Sequence, residues 1–334
     1  MKKIFFDLDK DLVEASKELT KSEIKKMKEK MQYLQEERDQ IISIGPVGSG
    51  ANIEISTKTI ASHNFHHCTK LKSIELPFGL ENIENSAFCH CNSLEKVELP
   101  DSLMEIGNYA FEDCTSLKEI NLPDSVKRLG EEVFTKCHSL EKVKLPNNLK
   151  SINCGTFSGC CNLKEVEMPN LLKNIDSSAF LDCKSLETVV LPKGLKTIFD
   201  CVFANCKSLK NINIPDTVSF IYEGAFYCCY NLEKIYLPNS ITKLDNLIFA
   251  RCVSLKEVII DAKCFLPDNL FTDCENLEKI YITKESFIKS PDFVKEYGNK
   301  IEIINKSLDE LLDEGKSLKE ISNIYKNNKE TGIR

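Results

Sequence analysis

The sequence predicts an α/β repeat solenoid: a curved stack of about ten 23-residue coils with helical N- and C-terminal flanks. Three observations predict it. The signature Phe-x-x-Cys recurs ten times, from Phe65/Cys68 to Phe271/Cys274, with eight spacings of 23 residues and a last one of 22. Each of these cysteines is followed three positions later by a leucine, from Leu71 to Leu277. A short apolar alternation follows, usually closed by a proline, as in Ile120-Asn121-Leu122-Pro123. A fixed period in the twenties is the mark of a stack in which each unit buries its apolar faces against its neighbours.

Each part of the unit has a reading. Leu140-Glu-Lys-Val143-Lys-Leu145 alternates, so it predicts a short strand with Val143 and Leu145 inward and Lys142 and Lys144 outward. Proline lacks the amide that a ladder needs and ends the pairing, and Asp or Asn after it supplies a turn, as at Pro100-Asp101 and Pro146-Asn147. A second apolar pair, such as Leu103/Ile106 or Leu195/Ile198, predicts the opposite wall. The phenylalanine then fills the centre of the coil. Stacking at about 4.8 Å places the repeat cysteines in a ladder, where they read as small buried apolar residues. That spacing lies within disulfide range, but a uniform ladder favours no pairing, so reduced thiols are expected.

This pattern, C-x-x-L-x-x-I-x-L-P-x-x-L-x-x-I-x-x-x-x-F-x-x-C, resembles the BspA-like (Treponema pallidum-type) leucine-rich repeats over about residues 53–283. It departs from them at 261–265, where Asp261 replaces the proline and one residue is lost. The stretch IYITKESFIKSPDFVKEYGNKIEII looks like that family's ending of strand, short helix and strand. The resemblance implies a curved solenoid used for binding, often at a cell surface, and no catalysis. The domain reading is therefore 1–50 as an N-terminal helical cap, 51–283 as the leucine-rich repeat solenoid, 284–305 as a C-terminal cap and 306–334 as a helical tail.

The whole-chain numbers exclude several classes. Net charge is −7, which does not suit a chain built for nucleic acid or an anionic membrane surface. No apolar run approaches the roughly 18 residues of a membrane span. The stretch Ile4–Phe6 is too short for a signal-peptide core, so a cytoplasmic location is expected, with the cell surface or secretion as the alternative if a signal was removed. In the first segment, Thr20-Lys-Ser-Glu23 is a capping box ahead of an apolar stripe at Ile24, Met27, Met31 and Leu34; it reads as a helix closing the stack or as a coiled-coil contact. In the last segment, Ser317-Leu-Lys-Glu320 is a second capping box. The order around it resembles the helix-turn-helix of resolvase-type regulators, which implies DNA contact through a final helix. Here that helix would be barely one turn, and six Lys/Arg against six Asp/Glu supply no positive excess.

Candidate site residues come from register. Outward strand positions are charged in the early coils (Lys96 and Glu98, Lys142 and Lys144) and change character later. Val190, Asn213, Tyr236, Ile259 and Tyr281 should then form an exposed column on the concave face, the expected partner-binding surface unless the tail covers part of it. His66, His67 and His90 with Cys89 lie in adjacent coils and are candidate metal ligands, against a reading as a His-rich polar edge. No Cys-x-x-Cys pair is present, and none of the five histidines has a spaced acid and nucleophile that reads as a triad. The expectation is a non-enzymatic protein–protein interaction scaffold with a protein partner, no cofactor and no metal. The alternative is a DNA-linked regulator using the C-terminal tail.

Overall fold

The computed structural model describes residues 58–304. They form a parallel β-solenoid. One wall carries eleven strands: β1 (Ser73–Glu75), β2 (Lys96–Glu98), β3 (Glu119–Asn121), β4 (Lys142–Lys144), β5 (Glu165–Val166), β6 (Thr188–Val190), β7 (Asn211–Asn213), β8 (Lys234–Leu237), β9 (Glu257–Ile260), β10 (Lys279–Thr283) and β11 (Ile301–Ile304). Their hydrogen bonds run in three stretches, β1–β2, β3–β7 and β8–β11. The opposite wall is built from two-residue strands, from Thr59–Ile60 to Lys243–Leu244. All pairings are parallel and in coil register, for example Glu119↔Lys142 and Lys142↔Glu165. The β4 side chains alternate as the sequence predicts: Val143 is buried while Lys142 and Lys144 are exposed.

The centre of the stack is a ring spine. From Phe65 to Phe271, successive repeat phenylalanines stack with centroids 5.0–5.7 Å apart and planes within 20° of one another. From Phe88 onward these rings are fully buried or nearly so, and offset aromatic pairs contribute about 0.5–1.5 kcal/mol beyond area burial.

The cysteine has a second task that the apolar reading misses. Nine repeat thiols, from Cys91 to Cys274, each donate to the carbonyl oxygen of the phenylalanine in the coil before, at 3.0–3.3 Å. That carbonyl also accepts from the amide of the cysteine in its own coil, as in Cys114 N to Phe111 O. A small, weakly polar donor that tolerates full burial is what this position needs. All sixteen cysteines are free thiols; thirteen are buried, and Cys154, Cys161 and Cys201 are half-buried.

The residue before each repeat cysteine sits in the left-handed region. His67, His90, Asp113, Lys136, Asp182, Asn205, Cys228, Arg251 and Asp273 have φ of 56–61°, and Gly159 has 74°. The conformation costs a non-glycine residue about 1–2 kcal/mol. A hydrogen bond from the same residue's amide to the next coil offsets it: His67 N donates to Cys89 O at 2.9 Å, His90 N to Glu112 O at 2.8 Å and Asp182 N to Ala204 O at 2.9 Å.

At the far end the spine turns edge-on. After β10 come α1 (Lys284–Lys289) and α2 (Pro291–Tyr297), then a 3₁₀ turn and β11. The ending therefore has two short helices rather than one. Pro291 opens the second, where its missing amide is harmless. Phe293 meets Phe271 at 64° and 6.2 Å, and Tyr297 meets it at 79° and 5.9 Å. The departure at 261–265 is tied down by this cap: Leu266 N donates to Ser290 Oγ at 2.8 Å, and Ser286 Oγ donates to Ala262 O. Helix is thus a minor part of the described residues. The N-terminal segment and the tail lie outside them.

Truncating the spine should be costly. Phe157→Ala is expected to lose about 3–5 kcal/mol in urea unfolding, whereas Phe78→Ala, at 95% exposure, should change stability by less than about 0.5 kcal/mol.

The thiols give a second expectation. Burial pushes Cys264 up to about 11 and Cys274 up to about 12, above the ordinary value of 9.0. The folded state therefore keeps protons that the unfolded chain releases, and stability is full below about pH 9 and falls as pH rises towards 12. The urea midpoint should be lower at about pH 10 than at about pH 8; an unchanged or higher midpoint would contradict this. At neutral pH, a thiol reagent should label the half-buried Cys154, Cys161 and Cys201 before the buried thirteen, which should react only on unfolding.

Candidate functional site: a groove along the β5–β8 wall

The predicted column is in register on either side of the break between β7 and β8. Val190 lies opposite Asn213, and Tyr236, Ile259 and Tyr281 follow one another on β8, β9 and β10. Its exposure is divided. Val190 is 79% exposed, Asn213 is exposed and Tyr236 is half-buried, but Ile259 is 9% exposed and Tyr281 is fully buried.

The expected open aromatic column therefore ends at Tyr236, which is a correction for its last two members. β11 extends the wall and sets Glu302 opposite Tyr281, with an ion pair between Lys279 and Glu302 beside it. Lys234 pairs with Glu257 at 2.8 Å, and Tyr236 Oη lies 3.5 Å from the buried Asp261 carboxylate. Burial and the nearby Glu302 and Glu257 carboxylates raise the Tyr281 phenol above its ordinary value. The tail 306–334, offered by the sequence as a cover for this column, lies outside the described residues.

The open members line a groove of about 1070 Å³. Its floor carries Thr188, Val190, Asn213 and Tyr236. One side is a row of buried prolines, Pro192, Pro215 and Pro238, which follow the strands in consecutive coils. The residues after them, Lys193, Asp216 and Asn239, are exposed along the rim, and Glu165 and Glu167 stand at one end. The repeat itself makes this shape. Proline stops the ladder at the same place in each coil, and the next side chain turns outward. A stiff proline wall, one bare aliphatic side chain, a half-buried tyrosine and mixed charges at the rim suit a partner surface. A smaller polar hollow of about 440 Å³ lies on the opposite wall, around Asn85, Gly107, Asn108 and Arg128.

The histidine end is brought together in part. His67 stacks on His90 with centroids 4.5 Å apart, as register predicts, and His66 lies 5.6 Å from His90. One ligand nitrogen from each of the three lies within 4.8 Å of the others. Cys89 does not join them. Its thiol is buried and donates to Glu112 Oε2 at 3.6 Å, and burial with the Glu112 carboxylate pushes it up to about 12. The sequence reading missed Asp113, whose Oδ2 lies 2.8 Å from His90 Nδ1. Its signal was available, since Asp113 stands 23 residues after His90.

Among the described residues, no helix is long and apolar enough to cross a membrane. Comparison with curated proteins gives no match. Among solved structures, the chain is similar to the T. pallidum Leucine Rich Repeat protein, with 34% identity over 55% of this chain and 75% of that one, at a TM-score of 0.40. It is also similar to a leucine rich cell surface protein from Faecalibacterium prausnitzii, with 22% identity over 70% and 79% of the two chains and a TM-score of 0.43. A leucine-rich repeat protein from Bacteroides ovatus shares 25% identity over 74% and 87%, with a TM-score of 0.36. The family model for the BspA type leucine rich repeat region matches residues 58–187 and 173–297, well over half of the chain. With the period, the parallel walls and the cysteine ladder, this match places the chain in the BspA-type leucine-rich repeat family.

Proposed function

We propose that this chain is a non-enzymatic scaffold that binds a protein partner in the groove between Glu165 and Asn239. The observation that carries the reading is Val190: a large aliphatic side chain at 79% exposure, on the floor of a groove and backed by a proline row. Single exposed apolar residues are ordinary, but one set in a concavity beside a tyrosine has the make-up of a binding anchor. The partner segment that fits would insert an apolar side chain over Val190 and Tyr236, with a basic group reaching Glu165 or Glu167. The DNA-linked alternative rests on the tail, outside the described residues, and no described residue favours it.

The test compares the full chain with Val190→Asp/Tyr236→Ser in partner capture followed by affinity measurement on the purified partner. A loss of at least about tenfold is expected for the variant; equal affinity would overturn the groove assignment. A matched pair of substitutions guards against misfolding. Val190→Asp should change unfolding free energy by less than about 0.5 kcal/mol, while Ile259→Asp, at a buried position of the same column, should cost at least about 2 kcal/mol.

A further inference from the structure

We propose that His66, His67 and His90 form a binding site for a divalent transition-metal ion, with zinc as the best-matched metal. Three observations carry it. The three imidazoles cluster, each with a ligand nitrogen within 4.8 Å of the others. The left-handed turn before the repeat cysteine, at φ 58° in His67 and 59° in His90, sets these two rings one above the other in adjacent coils. The third observation is Asp113 in the next coil. Its carboxylate lies 2.8 Å from His90 Nδ1, and Asn92 Nδ2 donates to the same Oδ2 at 3.2 Å and to Asp113 O at 2.9 Å.

A carboxylate fixed in this way holds the imidazole proton on Nδ1 and presents Nε2 as a lone pair. It is the outer partner that metal-bound histidines ordinarily have. Zinc–nitrogen bonds of about 2.0–2.1 Å in a tetrahedron put ligand nitrogens about 3.3 Å apart. His67 and His90 stack with planes 8° apart, so ligation of one ion requires that stack to open, and the exposed His67 is the ring with room to turn. Imidazole ligands suit zinc, copper and nickel. The nearby repeat thiol does not compete, because Cys91 Sγ donates to Phe65 O at 3.0 Å and is buried. Three protein ligands leave the fourth position to water or to a group from another molecule. An ion here would staple the first coil to the second, with the third coil holding His90 in place.

The test uses the full chain, stripped with a chelator and titrated with zinc by calorimetry, then with cobalt(II) by absorbance. One ion per chain is expected, with a tetrahedral cobalt spectrum lacking the intense near-ultraviolet thiolate band. Affinity should fall at least about tenfold in His67→Asn and in His90→Asn. Asparagine tolerates the left-handed backbone, so both variants should keep the fold. Asp113→Asn should weaken binding by about 10–100-fold while leaving the stoichiometry unchanged. No stoichiometric zinc, a thiolate band, or affinity that persists in the His67→Asn/His90→Asn double variant would overturn the site.

Discussion

The described stack depends on one backbone oxygen per coil. The carbonyl of each spine phenylalanine from Phe65 to Phe249 accepts the cysteine amide of its own coil and the cysteine thiol of the next. The first bond closes the turn and the second sets the distance to the neighbour. A buried carbonyl without such partners would cost about as much as the aromatic stacking contributes. The rings, the αL turn and the parallel walls all follow from coils locked at that spacing. It also explains the economy of the side chain. Serine would donate as well but is costlier to desolvate, and alanine would leave the oxygen half-served.

The repeating part of the fold was legible because periodicity is a global signal. Ten aligned phenylalanines and cysteines fix the register, and register alone placed His67 under His90 and Tyr236 beside Ile259. The direction of side chains along β4 followed from alternation. Hydrogen-bonding roles were less accessible. The sequence reads the cysteine as a small apolar filler, since its donor role appears only when the carbonyl of the previous coil is in view.

The site was half legible for a related reason. Alternation tells which side of a strand a residue faces, but not what lies over that side. Val190, Asn213 and Tyr236 line an open groove. Ile259 and Tyr281 occupy the same column and are buried, near charged partners such as Glu257 and Glu302 that belong to the wall's C-terminal end. The proline row was read as a set of strand stops, yet in consecutive coils those stops become one side of a trough. The histidine cluster divided similarly. Stacking of rings could be read from the period, whereas the turning of Cys89 towards Glu112, away from the imidazoles, could not.

A stack of near-identical coils is, chemically, a fibre that has been given a length. Each finished coil offers the next an aromatic face, a row of amides and a row of carbonyls, which is what a growing polymer end offers its monomer. Phe293 and Tyr297 meet the last spine ring edge-on and so end that sequence of faces, and β11 is the last strand of the wall among the described residues. The cap therefore acts as a chain terminator. It leaves the coils between the ends as interchangeable units, so that gain or loss of one 23-residue block would slide the groove along the molecule by a single rung.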